Sequence, residues 1–134
     1  MISRKITGPN DEFLGVVTRD IATSDFENFF APVVLGDDAV ISMFHRDGTM
    51  MARYPHIEKM IGENFSQGPF FRMISKGDHG NARTKSVMDG KDRLGSVRRL
   101  RDFTIVIVAT RSVSAALVNW RDQTRLLTAK TIYC

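Results

Sequence analysis

Cysteine is nearly absent from this chain: there is one in 134 residues, Cys134 at the extreme end. That excludes an internal disulfide and a cysteine metal site, and it leaves the redox compartment open. No apolar run approaches the roughly 20 residues of a membrane-spanning helix, and no signal peptide with a small-residue cleavage site is present. As given the chain reads as soluble, which is compatible with its being a piece of a membrane protein. Catalytic words are missing as well. There is no Gly-x-Ser-x-Gly, no phosphate loop and no His-Glu-x-x-His. His45 and His79 have no Cys, Asp or His at ligand spacing, so neither metal nor cofactor is expected. Long basic runs are lacking too. The net charge is +4, but Lys and Arg are scattered, and the densest group, Arg98, Arg99 and Arg101, is too short for a nucleic-acid footprint. No internal repeat or low-complexity segment interrupts the chain.

What is present suits one domain with a real core: 43% of the residues are hydrophobic. The organising stretch is Ala39 to Pro55, AVISMFHRDGTMMARYP, in which two apolar-rich segments flank Asp47-Gly48. That pair accepts positive φ at both central positions of a tight turn, which predicts a hairpin with a two-residue loop. Arg46 then faces Thr49, His45 faces Met50, Phe44 faces Met51, Met43 faces Ala52, Ser42 faces Arg53 and Ile41 faces Tyr54. Both faces are mostly apolar. The hairpin must therefore be covered on both sides within a larger sheet.

Around it, Ile2 to Ile6 and Phe13 to Ile21 read as a first hairpin across the turn residues Thr7 to Asp11. It starts at residue 1 with nothing upstream, so it is expected to close a truncated unit or to pair with another chain. Ser24-Asp25-Phe26-Glu27 spells a capping box for a helix carrying Phe26, Phe29 and Phe30 on one stripe, with Pro32 near its end. Ile57 to Phe65 suits a short helical turn, and Gly68-Pro69 opens a helix over Phe70 to Lys76 that Gly77 closes. Asn81 to Met88 and Lys91 to Leu100 are strands joined at a second Asp-Gly turn, Asp89-Gly90. Phe103 to Ala109, FTIVIVA, is the central strand. Ser112 caps a last helix on which Val113, Leu117, Trp120, Thr124 and Leu127 recur at spacings of four and three. The fold class is α+β: a five-stranded antiparallel sheet with helices between its second and third strands and a C-terminal helix, preceded by an extra hairpin.

The order of these words resembles the extracytoplasmic Cache family, the PAS-like sensor domains of bacterial histidine kinases, diguanylate cyclases and chemoreceptors. The matching words are Phe13-Leu14-Gly15-Val16-Val17, the acidic-aromatic helix Ser24 to Phe30, Ile41 to Phe44 followed by Arg46-Asp47-Gly48-Thr49, and Ala52-Arg53-Tyr54-Pro55. Ile61 to Phe65, Val87 to Gly90, Arg93 to Leu100 and Phe103 to Thr110 continue the succession into Val113 to Arg121. The resemblance implies three segments. Residues 1–33 form the hairpin and connecting helix, a possible remnant of a distal lobe; 34–120 form the PAS-like sensor lobe; 121–134 form a stalk leading to a membrane span of the parent protein. It implies a periplasmic or extracellular location, a homodimer, and no catalysis in this fragment.

Two candidate sites follow from the same resemblance. Amino-acid-binding members place an acidic residue near Asp20. Small-anion sensors of the single-lobed type use an Arg at the end of the strand and a His three residues on, a spacing repeated by Arg53 and His56, although Pro55 and Ile57 depart from the usual order. A guanidinium offers a carboxylate a fork of donors, imidazole adds another, and the Tyr54 ring can wall the pocket. The ligand-binding residues are thus expected to be Arg53, Tyr54 and His56, and the transmitting stripe Val113, Leu117, Trp120 and Leu127. Two functions compete: a sensor lobe that binds a small carboxylate or other anion, and a spacer and dimerisation lobe that binds nothing. A cytoplasmic PAS-like enzyme or cofactor binder is a third reading.

Overall fold

A computed structural model describes residues 2–33 and 36–132; Val34, where the sensor lobe was expected to begin, and Cys134 lie outside the described residues. Seven strands and three helices follow the expected order. They are β1 (Ile2–Thr7), β2 (Phe13–Arg19), α1 (Thr23–Phe30), β3 (Ala39–His45), β4 (Met50–Tyr54), α2 (Pro69–Ile74), β5 (His79–Lys85), β6 (Asp92–Arg99), β7 (Ile105–Ser112) and α3 (Val113–Ile132). Two 3-10 turns are described as well, Ala31–Val33 after α1 and Glu58–Met60 before α2. The last five strands make one antiparallel sheet in the order β4-β3-β7-β6-β5, with α2 inserted between its second and third strands. The central position of β7 accounts for its apolar sequence: Val106 and Val108 are buried on one side, while Ile105 and Ile107 pack on the other.

Two cores lie on the two faces. On the first, Phe44, Met50, Val97, Val106 and Val108 meet Ile74 of α2, with Phe65, Phe70 and Phe71 around them. Phe44 takes both Phe65 and Phe71 edge-on, at centroid distances of 5.8 and 5.4 Å. Small residues let α2 approach the sheet. A methyl group added at Gly95 would lie 2.3 Å from the Phe70 ring, and one at Gly80 would lie 2.5 Å from the Met73 methyl. On the second face, Phe30 buries itself among Ile41, Met43 and Ala52, with Phe26, Met51 and Tyr54 beside it.

The central hairpin differs from the two-residue expectation. Gly48 N–H donates to His45 O at 2.9 Å and His45 N–H to Thr49 O at 2.8 Å, so the loop is longer by a residue and ends on Gly48 at φ +96°. A bulge follows. Ile41, Ser42 and Met43 pair with Tyr54, Arg53 and Ala52 as expected, but Phe44 pairs with Met50. Met50 is thereby moved onto the Phe44 face, where it is 1% exposed, and Met51 onto the Phe30 face. The second hairpin is looser too, with Ser86 N–H bonded to Lys91 O across a four-residue loop in place of a tight Asp-Gly turn.

The capping box does not form. Ala22 is the N-cap of α1 and no side chain caps it; Glu27 is instead drawn to His56. The β1–β2 hairpin forms, as a separate two-stranded sheet, and Phe13, Leu14, Val16 and Val17 on it are all more than half exposed. At the far end, Ser112 caps α3 as expected, its Oγ accepting from Ala115 N–H at 3.2 Å.

Candidate functional site

The strand order places β3, β7 and β6 side by side, and on one of their faces α2 stands off far enough to leave a cavity of about 100 Å³. Its walls are apolar, from Val40, Phe44, Phe65, Phe70, Phe71 and Val108. Its charged lining residues are Arg53 on β4, Lys85 at the end of β5, Asp89 in the loop between β5 and β6, and Arg93 on β6, with Ser42, Thr84, Ser86 and Thr110 adding hydroxyl groups. This is the composition expected of a small-molecule site, apolar walls with a few aimed polar groups.

Arg53 owes its position to register. It lies opposite Ser42, on the face shared with Phe44, and is 7% exposed. Its Nη1 donates to Pro55 O at 2.6 Å, while its Nε, also buried, meets no acceptor among the described residues. Burial and the nearby charge of Arg93 hold its pKa below the ordinary guanidinium value, partly offset by Asp89. Arginine stays protonated even so, which makes it a buried cation with a donor to spare.

Arg93 is 5% exposed and fully engaged. Its Nε and Nη2 donate to Asp89 Oδ2 at 3.2 and 2.5 Å, its Nη1 donates to Asp38 O at 2.8 Å, and Nη2 also reaches Asp38 Oδ1 at 3.2 Å. Lys91 adds two bonds to the Asp38 carboxylate. The hydrogen bond from Arg93 holds Asp89 well below the usual carboxylate range, against the opposing effect of burial. Asp38 is also lowered, chiefly by the hydroxyl of Ser112 and further by Lys91 and Arg93. Both carboxylates are therefore ionised at neutral pH, and Arg93 is balanced where Arg53 is not.

Of the residues expected from sequence to bind ligand, the fold brings only Arg53 to the cavity. Tyr54 pairs with Ile41 and so points to the opposite face, into the Phe30 core. His56 lies outside: its Nδ1 is 2.6 Å from Glu27 Oε1 and its Nε2 is 2.7 Å from Glu58 Oε2. Asp20 follows the end of β2 and does not line the cavity. Arg93 and Asp89 were missed. A signal was there, because an arginine two and four residues from Gly95 and inward-facing Val97 shares their side of a strand. Of the residues expected to form a transmitting stripe, Val113 is half-buried, Leu117 is 37% exposed, and Trp120 and Leu127 are largely exposed. Of the basic cluster, Arg99 and Arg101 are both paired with Asp78.

The sheet order, the inserted helix and the cavity beneath it define a PAS-like sensor lobe. A family described as histidine kinase sensor domains, dCache_1-like, matches residues 23–110, and the chain belongs to this family. What the family describes is a sensor domain. Among solved structures, the extracellular domain of rpHK1S-Z16, a protein assigned as a histidine kinase, superposes with a TM-score of 0.67 at 24% identity, over 88% of this chain and 48% of that one. The chain thus spans about half the length of that relative. No curated protein matches it.

Proposed function

We propose that this chain is a signal-sensing lobe of a bacterial transmembrane receptor and that its cavity holds a small carboxylate or another anion at Arg53. The observation that carries this reading is the buried Arg53 Nε, which meets no acceptor among the described residues, on a side chain that lines an apolar-walled cavity. Leaving such a donor unmet costs about 1–3 kcal/mol, and a ligand carboxylate would supply the acceptor and the countercharge together. The cavity of about 100 Å³ suits an anion with a short apolar body. In the parent protein the lobe would face the periplasm or the extracellular space. Residues 34–120 would form the sensor, 1–33 would lead into it, and 121–134 would run towards a membrane span. No helix among the described residues is itself long and apolar enough to cross a membrane.

The test is a thermal-shift screen of acetate, propionate, lactate, succinate and phosphate, with Arg53→Ala beside the parent chain. A ligand at a hundred times its Kd adds about 2.7 kcal/mol and moves the midpoint by several degrees. A shift lost in Arg53→Ala supports the site; no shift with any anion removes it.

A second reading, a dimerising spacer, is favoured by the exposed apolar residues Leu117, Trp120 and Leu127 along α3. At spacings of three to seven residues they form a seam suited to pairing with the same helix of a second copy. The two readings are compatible in a receptor whose output depends on helix packing.

A further inference from the structure

Arg53 and Arg93 stand on one face of the sheet, three strands apart. Arg53 pairs with Ser42 and Ser42 with Val108; Ser112, four residues along β7 and so on the same face as Val108, pairs with Arg93. Strand spacing separates the two backbones by about 14 Å, and both residues line the cavity. What meets them differs. The hydrogen-bond partner of Arg53 is a carbonyl, Pro55 O, and its buried Nε meets no acceptor among the described residues. Arg93 donates from Nε and Nη2 to Asp89, and from Nη1 and Nη2 to the carbonyl and carboxylate of Asp38, which also takes Lys91. Two cations thus meet two carboxylates, and the charge at that end cancels. Lys85 is the third cationic residue of the lining, but it pairs with Asp92 while Thr84 pairs with Arg93, so strand alternation sends its side chain to the opposite face.

We propose that the cavity selects monoanions, a single carboxylate on a short uncharged body, and that Asp89 is the specificity-determining residue, excluding dianions by occupying Arg93. This rests on the anion site at Arg53 and narrows its ligand class. One carboxylate supplies what Arg53 lacks. A second on the same ligand would leave water for apolar walls and an end where Asp89 and Asp38 already hold the Arg93 donors. Burying a charge without a free partner costs more than it returns, and a neighbouring carboxylate adds repulsion. An amide or methyl group in the same place carries no net charge to desolvate. Asp89 is the member of this cluster that can be changed with least damage: it lies in the loop between β5 and β6 and its side chain is 33% exposed, against 6% for Arg93. Neutralising it leaves surplus positive charge at the cavity end, which a second ligand carboxylate can use.

The experiment is isothermal titration calorimetry of this chain with propionate, malonate and the monoamide of malonate, in mildly alkaline buffer where malonate carries two charges. The monoamide matches malonate in shape and lacks its second charge. The parent chain is expected to bind the monoamide at least about tenfold more tightly than malonate. Asp89→Asn should narrow that ratio by about tenfold while holding propionate affinity within about threefold. Asp89→Ser, with the same expected result, takes its place should the Asn variant not fold. If propionate binds and malonate matches the monoamide in the parent chain, the selectivity is wrong and the site at Arg53 stands. An unchanged ratio in the Asp89 variant removes Asp89 as the determinant. Binding of propionate but of neither longer compound means exclusion by length, which also overturns the assignment to charge. If none of the three binds, the anion site itself falls and the selectivity with it.

Discussion

Glu27 on α1 lies 2.6 Å from the Nδ1 of His56, which follows β4 and meets Glu58 at its other ring nitrogen. Satisfying both carboxylates requires the imidazolium, and the hydrogen bonds to Glu27 and then to Glu58 raise the His56 pKa above its ordinary 6.5. This clasp pins the helix that covers the second face to the strand beneath it.

A pH dependence follows. A raised folded-state pKa contributes stability that is fully present below the unfolded value of 6.5 and is lost as pH rises through the folded value. The parent chain should therefore resist urea better than His56→Gln in mildly acidic buffer, and the gap should shrink in alkaline buffer. Urea midpoints of both proteins across that range decide it; a gap that does not vary with pH refutes the clasp.

Met50 and Met51 are adjacent and alike in chemistry, yet the bulge sends them to opposite faces. Met50 is 1% exposed, so Met50→Ala should cost about 2–5 kcal/mol, and Met51→Ala, at a half-buried site, clearly less. Equal costs in chemical denaturation would argue for the unbulged register.

Gly48 sits at φ +96°, and a methyl group added there would lie 2.6 Å from the backbone nitrogen of Ser66. Gly48→Ala combines backbone strain with a clash against main chain that cannot rotate away. A loss of about 1–3 kcal/mol is expected, and a thermal midpoint unchanged within error would contradict this turn geometry.

Trp120 contributes little to the lobe's own packing, being 61% exposed. Trp120→Glu should leave the thermal midpoint of the monomer nearly unchanged, because surface substitutions usually stay within about 0.5 kcal/mol. Sedimentation should show weaker self-association. A variant that dimerises as well as the parent would remove α3 from the interface.

The elements themselves were legible because local chemistry specifies them. Pro69 starts α2 at its first position and Ser112 caps α3; the unbroken apolar run of Ile105 to Val108 placed β7 at the centre of the sheet. Errors arose where a tertiary partner outbid a local one. Ser24 and Glu27 spell a capping box, but His56, 29 residues away in sequence, takes Glu27. Asp47-Gly48 suits a two-residue turn; Asn64 Nδ2 instead donates to Asp47 O at 3.0 Å and Phe65 N–H donates to Gly48 O at 2.8 Å, holding a longer loop.

Sequence alone determined the class of fold, because strand periodicity and turn chemistry are properties of neighbouring residues; the candidate cation Arg53 came from the resemblance to single-lobed anion sensors. Tertiary structure decided which side chains share the cavity with it. A one-residue bulge exchanged Met50 for Met51, and β6 together with the 86–91 loop delivered Arg93 and Asp89 from 40 and 36 residues downstream of Arg53. Convergence at that distance depends on register and strand order, which no local window of sequence contains.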